Sequence, residues 1–241
     1  MGWKFSPSHQ KGLPNRLMTD HKAGHRERLK ARFRKGGVDA LADYELLELL
    51  LMTAIPRRDV KPLAKDLIKH FGSYAEVISA PPERLLEISG VGENVITVLK
   101  LTEASAQKLA QGLILDKPVL SNWQALINYC SAQMAYKKKE QFRVLFLDRQ
   151  NRLISDEKMQ EGTIDHTPVY PREIIKRALE LGSTAIIIVH NHPSGDPTPS
   201  REDIEMTRKI MEAGNQLGVL LHDHLIISKS GHNSFKTMDL I

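Results

Sequence analysis

Two histidines and an aspartate behind an apolar run have the residue types and spacing that suit a metal ion. His190 and His192 come directly after the run Ala185–Val189, and Asp203 follows them across a loop rich in Pro and Ser. Side chains two positions apart on an extended backbone point to the same side, and the loop allows the carboxylate to turn back toward them. Two imidazoles and one carboxylate suit Zn²⁺ and leave its fourth tetrahedral position open for water. The pattern predicts one zinc ion per chain.

A lone pair of histidines at a strand end has an ordinary alternative, because such residues are common as hydrogen-bonded surface side chains. A second pair of this kind, His222 and His224, surrounds Asp223. No carboxylate follows it at a comparable distance, and the alternation is that of a strand, with Leu221 and Leu225 on one face and both histidines on the other. We therefore favour a structural role for the second pair.

The elements that must position the first pair lie in residues 114–241, where strand and helix patterns alternate. The predicted elements are a helix over Asn122–Met134, a hairpin around Asp148–Asn151, a helix from Pro171, a buried strand over Ala185–Val189, a helix over Arg201–Leu217 and a strand over Val219–Ser228. This alternation predicts an α/β sandwich around a central sheet.

The first half of the chain has a different sequence pattern from the second half. Residues 1–19 mix Ser, Pro, Gly and Lys without apolar periodicity, which predicts a flexible basic tail. Residues 20–113 show helical patterns and no convincing strand: Asp43 is a predicted N-cap, Pro56 ends that helix, and Val60–Ile68 carries the apolar stripe of the next. An all-helical bundle is expected here.

Composition sets the broad class. A chain of 241 residues favours two domains, and 41% hydrophobic with 26% charged residues is typical of a globular protein rather than a disordered or collagen-like one. No apolar stretch approaches the roughly 20 residues that cross a bilayer.

We expect a cytoplasmic protein with no membrane partner, because the N-terminus lacks a secretory signal and the single cysteine cannot form an internal disulfide. That residue, Cys130, lies beside Ile127 and Tyr129 and is interpreted as a buried thiol rather than a nucleophile.

Positive charge is concentrated at the start of the chain. Residues 1–35 carry ten Lys and Arg side chains against two acidic ones, a net charge of +8, whereas the whole chain carries +5. Such a segment can attract the phosphate backbone of DNA, with Arg28 and Arg32 as candidate contacts. The alternative is that these charges form a solvated helix face, whereas Leu29 and Phe33 pack.

The segment Leu85–Leu99 resembles a helix-hairpin-helix motif, with Gly90 and Gly92 in the turn. The glycines permit tight backbone geometry, and amides at the start of the second helix can bind a DNA phosphate without reading sequence. Both glycines are therefore candidate DNA-binding positions. Glu93 stands where the motif commonly has Lys or Arg and would oppose a phosphate. The alternative is a packing motif that caps the helical bundle.

The run His190-x-His192-Pro193 followed by Ser200-x-x-Asp203 resembles the JAMM signature of the MPN+ metalloproteases, a zinc-dependent deubiquitinase-like class. The surrounding Val169–Glu173 and His190–Pro197 closely resemble the bacterial RadC family, and the likeness extends from Gly24 to the C-terminal strands. It implies a fold of mixed α+β and α/β class: an N-terminal helix-hairpin-helix domain over 20–113, then an MPN (JAMM, cytidine-deaminase-like) sandwich over 114–241.

The resemblance also implies roles for individual residues. His190, His192 and Asp203 match the metal ligands, and Ser200 matches a serine that stabilises the oxyanion of the tetrahedral intermediate. The family usually shows an Asp-His pair in its later strand, which implies that His224 borders the site.

The JAMM motif further requires an upstream glutamate as general base. Aligning the strand that starts Glu140-Gln141-Phe142 with the family's glutamate-bearing strand points to Glu140. Glu161 and Glu173 are nearer in sequence, but Glu173 has a sufficient structural role in the first turn of a helix.

Two functional hypotheses follow. The leading one is a JAMM-type zinc hydrolase that cleaves an amide bond in a peptide, isopeptide or protein substrate, whose identity the sequence does not give. The competing one is a DNA-associated accessory or repair-related protein in which the metal site is structural or inactive.

Overall fold

The computed structural model describes residues 17–162 and 170–241. Residues 1–16 of the predicted tail lie outside the described residues, and the first helix begins at Leu17. The chain forms two compact units, one comprising residues up to 77 with residues 86–98 and the other residues 78–85 with residues 99–241. The domain boundary drawn from the sequence at residue 113 stays a prediction.

Helices account for the first part of the described chain. Their bounds are α1 Leu17–Gly36, α2 Asp43–Ala54, α3 Lys61–Phe71, α4 Tyr74–Ser79, α5 Pro82–Leu86 and α6 Glu93–Gly112. α2 contacts α3, and the two helices bury Leu47, Leu51, Leu63 and Leu67. No strand occurs in residues 17–113, as the sequence predicts.

The start of α2 differs from the prediction. Asp43 is the first helical residue and Ala42 is the N-cap. The Asp43 carboxylate instead accepts a hydrogen bond of 3.0 Å from the backbone N–H of Tyr74, the first residue of α4. Glu45 accepts the Ala42 N–H at 3.1 Å. The Asp43 side chain therefore serves the N-terminus of a different helix, a partner that local pattern cannot reveal.

The second unit is built on one five-stranded mixed sheet. Its strands are β1 Glu140–Leu147, β2 Leu153–Gly162, β3 Ala185–Asn191, β4 Leu220–Ser228 and β5 Gly231–Ser234, and its further helices are α7 Trp123–Met134, α8 Pro171–Glu180 and α9 Arg201–Gln216. The strand order is β2-β1-β3-β4-β5. β1 is antiparallel to both neighbours, β3 is parallel to β4, and β5 is antiparallel to β4. The predicted hairpin and the mixed α+β class are confirmed.

Both faces of this sheet are covered by apolar helix faces. One core joins α7 to the sheet and contains Leu126, Ile127, Cys130, Leu145, Ile187, Val189 and Leu225. The other joins α8 and α9 to the sheet and contains Ile174, Ile175, Ile210, Val144, Phe146 and Ile188. β3 is buried along its whole length because it lies in the centre of this sandwich. Its carboxyl end, where the two candidate histidines lie, faces the loop that leads into α9.

A β-bulge interrupts β4 where the second histidine pair begins. Leu221 is paired with Ile186, but the next residue of β3, Ile187, is paired with Asp223, so His222 is an extra residue. The bulge changes the phase of the alternation. Leu221 therefore packs against the core on the α8 and α9 side, whereas Leu225 lies in the opposite core. The prediction that these two leucines share a face is wrong.

Membrane insertion finds no support in the helices. None of those in residues 17–162 and 170–241 combines the length and apolar character that a bilayer crossing requires.

Candidate metal centre

The structure brings the three predicted ligands together at the end of β3. One side-chain donor atom from each of His190, His192 and Asp203 lies within 4.8 Å of the others. The two Nε2 atoms are 3.0 Å apart, and Asp203 Oδ1 is 3.3 Å from His190 Nε2. Ligand atoms bound tetrahedrally to zinc at 2.0–2.1 Å lie about 3.3 Å from one another. The cluster could therefore hold a metal ion without a large rearrangement.

The protonation pattern of His192 also suits a metal ligand. Its Nδ1 lies 2.8 Å from the backbone carbonyl oxygen of Asp196, which can only accept a hydrogen bond. Nδ1 of the neutral ring therefore carries the hydrogen, and Nε2 presents a lone pair to the cluster. The loop is ordered locally, because the Asp196 carboxylate accepts hydrogen bonds from Thr198 N–H and Oγ1 at 2.9 and 2.7 Å. Fixing a ligand ring through its other nitrogen is a recurring feature of metal sites.

Asp203 and Ser200 form a capping box at the start of α9. Ser200 Oγ accepts the Asp203 N–H at 3.0 Å, and the Ser200 N–H and Oγ donate to Asp203 Oδ2 at 2.8 and 2.7 Å. Oδ1 lies 3.3 Å from His190 Nε2, and Oδ2 lies 3.6 Å from His192 Nε2. Burial opposes ionisation of Asp203, but the adjacent His190 and His192 imidazoles outweigh it and hold the pKa of this carboxyl well below its usual range. The carboxylate is thus an anionic donor held by the helix cap.

Glu140 lies on the same side of the sheet as the histidines. It begins β1, two residues before Phe142, which is paired with His190 in the antiparallel register. Opposed residues and residues two apart share a face. The pKa of His192 is raised, chiefly by the neighbouring Asp203 carboxylate and to a smaller extent by the charge of Glu140. The structure thus places a half-buried carboxylate beside the cluster without including it among the ligands.

The two competing glutamates lie elsewhere. Glu161 is paired with Gln141, so it points to the opposite face of the sheet from Glu140. It forms an ion pair with Lys158 and accepts a hydrogen bond from Gln141 Nε2 at 3.3 Å. Glu173, in the first turn of α8, is half exposed and pairs with Arg172 at 3.1 Å. Geometry therefore favours Glu140 over both, and its catalytic role stays a prediction.

His224 contacts the site. The family resemblance implied this position, whereas the alternation of residues in the strand did not indicate it. Its Nε2 lies 2.7 Å from His190 Nδ1, and its Nδ1 lies 2.6 Å from Thr207 Oγ1. Burial, and then the charge of His190, lower the pKa of His224. His222 faces away and bonds Asn151 Oδ1 at 2.7 Å, which fits the structural role predicted for it. The bulge in β4 separates the two environments.

The predicted DNA-binding residues are only partly suited to that role. Gly90 has a φ of +92°, which favours glycine, and Gly92 immediately precedes α6, so the hairpin turn is formed. Arg32 bonds both carboxylate oxygens of Glu45, at 2.8 and 3.0 Å, and is therefore already neutralised. Arg28 is exposed. DNA binding stays a prediction.

Comparisons with known proteins cover both halves of the chain. Residues 120–240 match the family described as a RadC-like JAB domain, and residues 21–97 match the family described as UPF0758 N-terminal. A protein of Rhodobacter capsulatus described as a UPF0758 protein is 58% identical over 213 residues, which cover 88% of this chain and 100% of that relative.

Proposed function

Because this chain belongs to the RadC family, we propose that it is a JAMM-type metallohydrolase that cleaves an amide bond in a peptide, isopeptide or protein substrate. The observation that supports this most directly is the convergence of donor atoms from His190, His192 and Asp203 within 4.8 Å of one another, with the two Nε2 atoms 3.0 Å apart. Three protein ligands leave a position for water, which is the arrangement of catalytic rather than structural zinc.

Zinc bound to these residues would supply Lewis acidity, activating water and polarising the scissile carbonyl. Glu140 accepts the proton released as water adds to the carbonyl carbon. It then delivers that proton to the amine nitrogen as the C–N bond breaks. The Ser200 hydroxyl is the proposed donor to the oxyanion. Its single hydrogen is donated to Asp203 Oδ2 in this structure, so it must turn from that carboxylate to the oxyanion as the intermediate forms.

Metal content tests the first part of this proposal. The purified protein is expected to contain about one zinc per chain, and a His190→Ala/His192→Ala variant is expected to contain none. His222→Ala is the matched control, because this histidine bonds Asn151 on the other side of the bulge. Full zinc occupancy in the double variant would exclude the assigned ligands.

Substrate capture tests the second part. Glu140→Gln is expected to retain zinc while losing turnover, so bound substrate accumulates and can be identified by mass spectrometry. Glu161→Gln, on the opposite face, is expected to behave as wild type. Loss of zinc from Glu140→Gln would contradict a general base outside the ligand set.

A DNA-associated accessory role is the second candidate, supported by the hairpin turn at Gly90 before the N-terminus of α6. Backbone amides at such a terminus can bind a phosphate. The expected signature is DNA affinity that falls steeply as salt rises. Undetectable affinity at low salt would exclude the electrostatic mechanism.

A further inference from the structure

A chain of hydrogen bonds leads from His190 through His224 and Thr207 to the backbone of Asp203. Thr207 Oγ1 donates to the Asp203 carbonyl oxygen at 2.5 Å. A hydroxyl has one hydrogen, so at its 2.6 Å contact with His224 it must accept from Nδ1–H. The neutral His224 ring then has a lone pair on Nε2. This lone pair accepts the Nδ1–H of His190 at 2.7 Å.

The direction of this chain decides the tautomer of His190. A hydrogen on Nδ1 leaves the Nε2 of a neutral ring as a lone pair, and Nε2 is the atom that faces His192 and Asp203. The opposite order would place a hydrogen on Nε2 and block metal binding. It would also leave the Thr207 hydroxyl without a hydrogen to give to the Asp203 carbonyl.

Packing holds the His224 ring in this orientation. The ring is fully buried, with its centroid 4.4 Å from that of Phe235 and 6.1 Å from that of Phe142. It reaches this position because the bulge at His222 turns residue 224 to the face occupied by α9. In an unbroken register Asp223 would take that place. The backbone and the aromatic neighbours therefore both position the imidazole.

We propose that His224 and Thr207 are positioning residues that lock His190 in the metal-binding tautomer and tie the strand carrying two ligands to the helix carrying the third. This inference deepens the proposed metal site and rests on it. The chain joins β3 to α9 through β4, so the relative placement of the ligands depends on a histidine that touches no metal. Removing such an outer hydrogen bond typically weakens metal affinity about 10- to 100-fold.

Three variants separate this role from general packing. Thr207→Val keeps the shape but removes the hydroxyl, Thr207→Ser keeps the hydroxyl, and His224→Phe keeps a ring without nitrogen. His222→Phe is the control on the same strand. Zinc affinity, measured by competition with a chromophoric chelator, is expected to fall roughly 10- to 100-fold in Thr207→Val and His224→Phe. We expect it to stay near wild type in Thr207→Ser and His222→Phe.

The tautomer is read directly by ¹⁵N NMR of the histidine rings in the metal-free protein, which needs no substrate. His190 is expected to be the Nδ1–H form in wild type and a mixture of tautomers in Thr207→Val. An Nε2–H ring in wild type, or unchanged tautomer and zinc affinity in Thr207→Val, would overturn the inference. Absence of zinc binding by wild type with the expected tautomer would count against the proposed function alone.

Discussion

The side-chain oxygen of Asn191 accepts a hydrogen bond from the backbone N–H of Gln141 at 2.8 Å. Asn191 lies between the two candidate histidine ligands, is fully buried, and points to the opposite face of the sheet. Its amide nitrogen lies 3.3 Å from the carbonyl oxygen of Lys137 and 3.2 Å from that of Lys139. One side chain therefore fixes the segment before Glu140 to the strand that carries the ligands.

Replacing the Asn191 side chain is expected to make the segment before Glu140 more mobile, while the donor atoms of His190, His192 and Asp203 stay in place. Asn191→Leu removes all three hydrogen bonds and leaves the buried Gln141 N–H without this partner, which should lower the free energy of unfolding by about 1–3 kcal/mol. Amide exchange at Gln141 should accelerate, and zinc binding should be retained. Asn191→Asp keeps the acceptor for Gln141, so exchange there should change less. Unaltered protection of the Gln141 N–H from hydrogen exchange in Asn191→Leu would contradict the role assigned to the Asn191 side chain.

The capping box gives a prediction about stability. Ser200→Ala removes the side-chain acceptor of the Asp203 N–H and a donor to its carboxylate. Loss of such an N-cap typically costs about 1 kcal/mol, measurable by urea unfolding. Ser105→Ala is a suitable control, because Ser105 Oγ donates to Leu101 O within the exposed middle of α6. Equal stability of the Ser200 and Ser105 variants would show that the box does not stabilise α9.

The sequence was sufficient to predict that His190, His192 and Asp203 come together, because the signals that place them are local. His190 and His192 follow a buried strand, and Asp203 is in the first turn of a helix, so alternation and helix-start signals locate all three. The family assignment read from the same motif is confirmed. The orientation of His224 could not be predicted from the alternation. One extra residue at a bulge turns every later side chain of the strand to the opposite face, and the sequence pattern does not show where a bulge occurs.

The sequence pattern also did not predict which distant residues two of the charged side chains contact. The Asp43 side chain caps α4 rather than its own helix, and Arg32 is paired with Glu45 rather than left for phosphate. Both partners depend on how helices pack. Local pattern gives the periodicity of each helix and says nothing of which charges then meet.

Cys130 is expected to be chemically inert in the folded protein. It is 2% exposed within the core between α7 and the sheet, and burial, followed by the nearby charge of Asp156, raises the pKa of its thiol. Few thiolates are then present at neutral pH to attack an electrophile. Titration with a disulfide reagent should find no rapidly reacting thiol in native protein and one in denaturant. Rapid modification of native protein would contradict the assigned burial.

Glu103 is expected to make stability depend on acid pH. Burial disfavours its charge, but hydrogen bonds from Lys100 and Lys137, at 2.9 and 3.0 Å, outweigh this and lower its pKa. A carboxyl with a lowered folded pKa stabilises the protein above its unfolded pKa of about 4.3, and the contribution is lost as pH falls through the folded pKa.

Glu103→Gln should therefore unfold more easily than wild type at neutral pH, and the difference should shrink as the solution is acidified below about pH 4.3. Thermal unfolding at several pH values measures this. Glu27→Gln, which removes an exposed pair with Lys30, should have a smaller effect at every pH. A difference between wild type and Glu103→Gln that stays constant with pH would exclude the charge as its cause.

Glu93 is expected to weaken any binding of a phosphate at the hairpin turn. It is exposed in the first turn of α6, next to the Gly90-Val91-Gly92 turn, where its charge opposes an incoming anion. Glu93→Lys should raise affinity for duplex DNA severalfold at low salt and steepen the fall of affinity with salt, because another phosphate contact releases more counterions. Glu83→Lys, in the first turn of α5, makes the same change of charge ten residues earlier in the chain and should have less effect. Equal gains from both substitutions would mean that overall charge, and not the hairpin, attracts the DNA.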